Sequence, residues 1–177
     1  MKKVLALTAA LSAAFSFSNV AQAGNCGAPG AESIKDIAAM TPALSTLVAA
    51  VSKADLLDFI DGNRNLTVFA PTNDAFDATA EAILGVGNDG LDLVAALDPE
   101  TLSGIIKYHI APGERDSGDV LDSSRVRTLS SSFTFPSLQG GVPFLNDSDI
   151  LMPDVFACNG VVHVLGDVVL LPPSACA

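Results

Sequence analysis

Basic residues are scarce. The chain carries 9 Lys and Arg against 20 Asp and Glu, a formal net charge of −11. Nucleic acids and anionic lipid surfaces are bound through clustered cations, so neither is expected as a partner. Histidine occurs only twice, at His109 and His163, and the two are not at metal-ligand spacing. No Gly-x-Ser-x-Gly elbow supports a serine nucleophile. No glycine-rich loop opens a helix after a strand to hold phosphate. The Gly/Asn/Asp run 85–90 lacks the alternating oxygens and distal Glu of an EF-hand. No catalytic residue, metal or cofactor is therefore expected. Internal repeats are missing, which argues for one copy of one domain. No sorting tail or second hydrophobic segment follows Pro173, so no membrane span is expected once the leader described next is removed.

The first 23 residues read as a signal peptide. Lys2 and Lys3 give a charged start, Val4 to Phe17 is apolar, and Ala21-Gln22-Ala23 resembles a cleavage site. Export follows, to the periplasm or beyond. Residues 24–32 form a loose N-terminal segment, 33–173 the folded domain and 174–177 a short tail. Three cysteines in an oxidising compartment allow one disulfide and leave one thiol over. Cys26–Cys158 is the expected pair, tying the loose start to a late strand, with Cys158–Cys176 the alternative.

The chain is organised around Leu66 to Phe76. Leu66, Val68 and Ala70 alternate with Thr67 and Phe69 as in a strand. Pro71 ends the ladder, and Thr72, Asn73 or Asp74 can cap a following helix. Before it, Ser33 caps a helix from Ile34 to Ala39. Thr41 and Pro42 open another, with Leu44, Leu47, Val48 and Val51 facing a core. Leu56, Leu57 and Ile60 form a third. After it, Phe76, Ala80, Ile83 and Leu84 mark the apolar side of the central helix. Leu91 to Leu97 is a further helix, and Asp98-Pro99-Glu100 starts one that packs through Leu102, Ile105 and Ile106. From Val120 the period changes to short strands: Val126–Leu129, Phe133–Phe135, Val142–Leu145, Ile150–Met152, Val161–Leu165 and Val168–Leu171. Gly140-Gly141 and Asn159-Gly160 make turns between them. Helices early and strands late give an α+β fold.

Three signatures stand in register. They are Leu66 to Phe76, then Tyr108-His109 at a helix end, then Asn159-Gly160-Val161-Val162-His163-Val164-Leu165 continuing to Pro172-Pro173. Together they resemble the fasciclin domain, and the resemblance covers Ser33 to Pro173. It implies a wedge of two β-sheets with several helices packed over one side. It assigns a structural part to Thr67, Phe69, Pro71, Thr72, Asn73, Phe76, Asn159, Gly160, His163 and Pro172. Two local departures occur: Gly166 precedes Asp167 where an acid usually follows the strand directly, and Ala111 replaces a larger apolar residue.

The resemblance also bears on function. In animal relatives the Tyr-His region is implicated in cell adhesion, and a Pro-Asp-aliphatic run is tied to integrin binding. The matching positions are Tyr108, His109, Pro153, Asp154 and Val155, with Met152 where those relatives have an acid. Each also has a structural reading: a buried Tyr and His bonded to backbone, and an Asp whose carboxylate caps nearby N–H groups. The expected function is a non-enzymatic adhesion or matrix-interaction module, meeting a cell-surface or extracellular protein or polysaccharide. An alternative is a periplasmic protein binding a small apolar or sugar ligand in a cleft lined by Phe69, Phe76, Phe133 and Phe144. A hydrolase or lyase would need a desolvated Asp beside His109.

Overall fold

Every residue of the strand β1 (Leu66–Pro71) is buried. The computed structural model that shows this describes residues 26, 30–62 and 64–166. Along the chain the elements are α1 (Ile34–Met40), a 3-10 turn (Pro42–Leu44), α2 (Ser45–Lys53), α3 (Leu57–Ile60), β1, α4 (Asn73–Leu84), α5 (Gly90–Ala96), α6 (Pro99–Tyr108), β2 (Ile110–Pro112), α7 (Ser117–Asp122), β3 (Val126–Arg127), β4 (Phe133–Thr134), β5 (Pro136–Gln139), β6 (Val142–Leu145), β7 (Ser148–Ala157) and β8 (Gly160–Leu165). A curled six-stranded sheet runs in the order β2-β1-β8-β7-β6-β5, and β3 and β4 form a small second sheet. This is the α+β architecture expected, with the helices gathered before and over the sheet.

The alternation of β1 separates two cores. Leu66, Val68 and Ala70 enter the larger one, with Leu44, Leu47, Val51, Phe76, Leu93, Leu102 and Ile106 from the helices. Phe69, on the opposite face, enters the smaller one with Tyr108, Val120, Val126, Leu145, Ile150 and Leu165. A strand with both faces covered must lie inside the sheet, and β1 pairs parallel with β8 and antiparallel with β2. Phe69 and Phe76 therefore belong to different cores. The single cleft expected from Phe69, Phe76, Phe133 and Phe144 does not form, because Phe69 points to the face of β1 opposite the one on which Val68 packs with Phe76 of α4.

Helix starts follow local chemistry. Ser33 and Asp36 form a capping box on α1, as do Asp89 and Asp92 on α5. Thr72 caps α4 by accepting from the Ala75 N–H. Asn73 does something else: its Oδ1 accepts from the Thr46 N–H at 3.0 Å and its Nδ2 donates to the Pro42 carbonyl at 3.0 Å. It thereby fastens α4 to the start of α2.

Four expectations need correction. Thr41 does not cap the turn after it; its hydroxyl donates back to the Ile37 carbonyl. Ile83 and Leu84 are exposed rather than packed, because α4 outruns the core it covers. Val120 lies in a helix, not a strand run. Asp116 caps that helix through the Asp119 N–H, and local capping overrides the β-branched residue. β5 was also not expected: it pairs with β6 across Gly140-Gly141, both in positive φ as a tight hairpin turn requires.

The Cys26–Cys158 disulfide forms as expected, and the Cys158 N–H donates to the Glu32 carbonyl at 2.8 Å. The leader 1–23, the strand Val168–Leu171, Pro172, Pro173, Cys176 and the tail 174–177 lie outside the described residues.

Candidate functional site

The Tyr108-His109 pair sits where α6 turns into β2, and both side chains are buried. The Tyr108 hydroxyl donates to the Phe133 carbonyl at 3.1 Å and accepts from Asn146 Nδ2 at 3.3 Å. Asn146 Oδ1 in turn accepts from the Phe135 N–H at 2.8 Å. The hydroxyl thus clamps β4 and the β6–β7 turn onto α6. His109 Nδ1 donates to the Ile105 carbonyl at 2.9 Å. Desolvation pushes its pKa down to about 4, so the ring is neutral at ordinary pH. It borders an apolar hollow of about 40 Å³ under α1, α2 and α3, whose lining includes Lys35 but no carboxylate. The desolvated Asp that a hydrolase would need is not among the groups lining it.

Pro153, Asp154 and Val155 lie on β7, where the register with β8 slips between Ile150 and Met152 and again between Met152 and Val155. Asp154 adopts φ 59°, a left-handed conformation that most residues avoid and Asp enters occasionally. Its bonds hold it there. The carboxylate accepts from the Ser117 N–H at 2.6 Å and from the Ser117 hydroxyl. Its own N–H donates to His163 Nδ1 at 3.2 Å. His163 is fully buried on β8. Its Nε2–H donates to the Arg115 carbonyl at 3.0 Å, and its ring stacks on Phe69 with centroids 5.6 Å apart. Burial lowers its pKa, while the Arg115 carbonyl and the Asp154 and Asp116 charges oppose that.

The other signature residues are structural anchors. Thr67 Oγ1 donates to the Gly113 carbonyl and accepts from the Arg115 N–H. Asn159 Oδ1 accepts from the Ile34 N–H at 2.9 Å, and its Nδ2 donates to the carbonyls of Ile60 and Gly62. One buried side chain thereby joins α1, α3 and β8. Gly160, at φ 148°, lies so close to β1 that a Cβ would stand 1.8 Å from the Leu66 carbonyl oxygen.

The exposed part of this region is the outer side of β7. Leu151, Met152 and Phe156 keep 60%, 57% and 45% of their surface in water, and Pro153 is exposed beside them. β6 pairs with β7 only at Ser148 and Asp149. Among the described residues, the edge of β7 facing away from β8 is therefore open from Leu151 onward. Proline, a positive φ and two register slips make that edge a poor template for another strand, so contact would run through side chains. Sequence reading missed Ser117, Asn146 and the Arg115 carbonyl, since each is a partner chosen by tertiary packing. It read Ile150–Met152 as a strand and Met152 as a departure from the relatives, but not the exposure of Leu151 and Met152, although three successive apolar residues, 150–152, break the alternation of a half-buried strand.

Among the described residues, no group of three or more His, Cys, Asp or Glu is arranged to hold a metal ion. No single helix there is long and apolar enough to cross a membrane.

A curled six-stranded sheet, helices over the larger core and a buried Tyr-His junction define the class of fold. The chain belongs to the Fasciclin domain family, whose pattern matches residues 42–172. It is 37% identical over 147 residues to Protein sll1483 of Synechocystis, covering 81% of this chain and 75% of that protein. It is 33% identical over 130 residues to the transforming growth factor-beta-induced protein ig-h3 of Sus scrofa. That match covers 73% of this chain but only 18% of the relative. It is 30% identical to the cell surface glycolipoprotein MPB83 of Mycobacterium bovis, covering 77% of this chain and 59% of that one. A solved FAS1 domain pair from the insect cell adhesion molecule Fasciclin I shares the fold, with a TM-score of 0.66 at 19% identity. It covers 79% of this chain and 51% of the other.

Proposed function

We propose that the chain is an exported, non-enzymatic adhesion or matrix-interaction module. It meets a cell-surface or extracellular protein or polysaccharide through the outer side of β7. The observation that carries this reading is that four apolar residues of one strand, Leu151, Met152, Pro153 and Phe156, are exposed where the strand edge is open. Apolar side chains grouped on a surface gain free energy when a partner covers them. Tyr108 contributes by tying β4 and the β6–β7 turn to α6, His109 by closing the end of α6 through the Ile105 carbonyl, and Pro153, Asp154 and Val155 contribute the shape of the edge. The acidic balance of the chain disfavours anionic surfaces. The name of the mycobacterial relative supports a location at the cell surface.

The test is retention of the purified protein on whole cells, exopolysaccharide and matrix protein. The double substitution Met152→Asp with Phe156→Asp should reduce retention by roughly tenfold or more, the effect of losing about 1.4 kcal/mol of contact. Both side chains are half exposed, so the fold should survive and its circular dichroism should not change. Equal retention by the variant would remove β7 from the contact.

A second reading, binding of a small apolar ligand, has one supporting observation. A hollow of about 220 Å³ lies between α4, α5 and α6, lined by Phe76, Ile83, Leu93, Leu97, Leu102 and Ile105 among others. Native mass spectrometry of protein taken directly from the producing cells would reveal a retained molecule. A bare mass would count against this reading.

A further inference from the structure

We propose that His163 is a proton-operated latch for the exposed segment Leu151–Phe156. Neutral, it holds the Asp154 N–H; protonated at Nδ1, it exchanges that N–H for the Asp154 carboxylate and resets the bulge. That this segment is the docking surface rests on the function proposed above. The latch itself is defined without any partner.

The two ring nitrogens of His163 play opposite roles. A carbonyl only accepts, so the bond to the Arg115 carbonyl fixes the proton on Nε2. Nδ1 is then the acceptor of the Asp154 N–H. A proton taken from solvent onto Nδ1 turns this contact into two donors facing each other, and the bond is lost. The charged groups acting on the ring are the Asp154 carboxylate on β7 and the Asp116 carboxylate at the cap of α7. Glu114 and Arg115 stand in the loop that supplies the carbonyl. On the β1 side the ring meets uncharged Phe69. The carboxylate able to take the new Nδ1–H belongs to the same residue as the N–H that has been released.

Three features confine the change to β7. The Nε2–H bond to Arg115 anchors the ring in either state. Asp116 continues to cap α7 through the Asp119 N–H. Ser117 is only half-buried, so water can satisfy it when Asp154 lets go. Asp154 also sits at a positive φ within the irregular stretch of β7, so its backbone has another region open to it. Burial of the ring resists the proton, while the two carboxylates favour it. Neutral solution therefore gives the latched edge and acid the released one. Met152 and Pro153 lie just before Asp154 on the backbone and Phe156 two residues after it, so a change at Asp154 reaches all three.

The test is an NMR titration of the whole purified chain from neutral to acid pH, following the His163 ring and every backbone amide. Amide shifts of residues 152–156 and 117 should move with the midpoint of the His163 ring, while those of α2 and α5 stay flat. His163→Gln offers a neutral acceptor and donor at similar positions, and should abolish the titration at 152–156. Should that variant not fold, Asp154→Asn serves. It keeps an oxygen for Ser117 but no charge for the imidazolium, and should lower the His163 midpoint by about one pH unit. A His163 titration that leaves 152–156 flat would overturn the latch, as would an Asp154→Asn midpoint equal to wild type. Repeating the retention assay at both ends of the titration separates the two proposals. Absent retention at every pH counts against the docking function alone, and the amide shifts decide the latch.

Discussion

Gly160 has no side chain because the Leu66 carbonyl oxygen occupies the place of one. That oxygen belongs to the ladder between β1 and β8, so it cannot move aside without breaking the pairing at the centre of the sheet. Gly160→Ala should cost about 3 kcal/mol or more, from strain and a lost strand contact together. Urea denaturation monitored by circular dichroism would measure it. His109 makes a different kind of prediction. Its pKa is about 4 in the folded chain and near 6.5 when unfolded. Above that upper value neither state holds the proton, and stability does not depend on this group. Below it the unfolded chain binds a proton that the folded chain refuses, so stability falls as pH drops from about 6.5 toward 4, by about 3 kcal/mol in total. His163 acts in the same direction, its pKa also being lowered by burial. His109→Gln should flatten part of that slope in denaturant titrations at successive pH values. An unchanged slope would mean the ring is not desolvated.

At the scale of elements, the strand-to-helix turn between β1 and α4 has two separable jobs. Thr72 satisfies an end of its own helix, whereas Asn73 binds the start of α2. Thr72→Ala should cost about 1 kcal/mol, the usual value of a cap. Asn73→Ala should cost about 1–2 kcal/mol by unpairing the Thr46 N–H and the Pro42 carbonyl. Hydrogen exchange distinguishes the two. Loss of Asn73 should speed exchange at the first turn of α2, and loss of Thr72 at the first turn of α4. Similar exchange patterns in both variants would refute the division. α7 is held from outside as well as by its own cap, since Asp154 on β7 takes the N–H and hydroxyl of Ser117. A six-residue helix has little stability of its own, and this cross-link adds to the Asp116 cap that starts it.

Across the whole molecule, one cross-link spans almost the full fold. Cys26 and Cys158 are 132 residues apart in sequence, and closing so long a loop restricts the unfolded chain strongly. Replacing both by serine should lower stability by about 2–5 kcal/mol. Neither residue supplies a large side chain to the two cores, so the variant should still fold at low temperature with an unchanged far-ultraviolet spectrum. Loss of secondary structure at low temperature would show that the cross-link is needed to form the fold. The division into two cores by β1 has a functional side. The smaller core takes Ile150 at the start of β7, whereas Val155 and Ala157, further along the strand proposed to meet a partner, pack against the larger one.

Local chemistry made much of this legible in the residue order. Alternation in Leu66–Ala70, the Thr72 turn, the Asp98-Pro99-Glu100 start and the Asn159-Gly160 turn each depend on neighbours within a few positions. The three spaced signatures then identify the family. Which of three possible residues caps α4, which helix Asn73 holds, and which histidine nitrogen receives the Asp154 N–H were settled only by tertiary structure. Those partners are separated by up to tens of residues in the chain and are selected by packing. Exposure was decided there too. An apolar residue such as Ile83 or Met152 looks the same in sequence whether a neighbouring element covers it or stops one turn short.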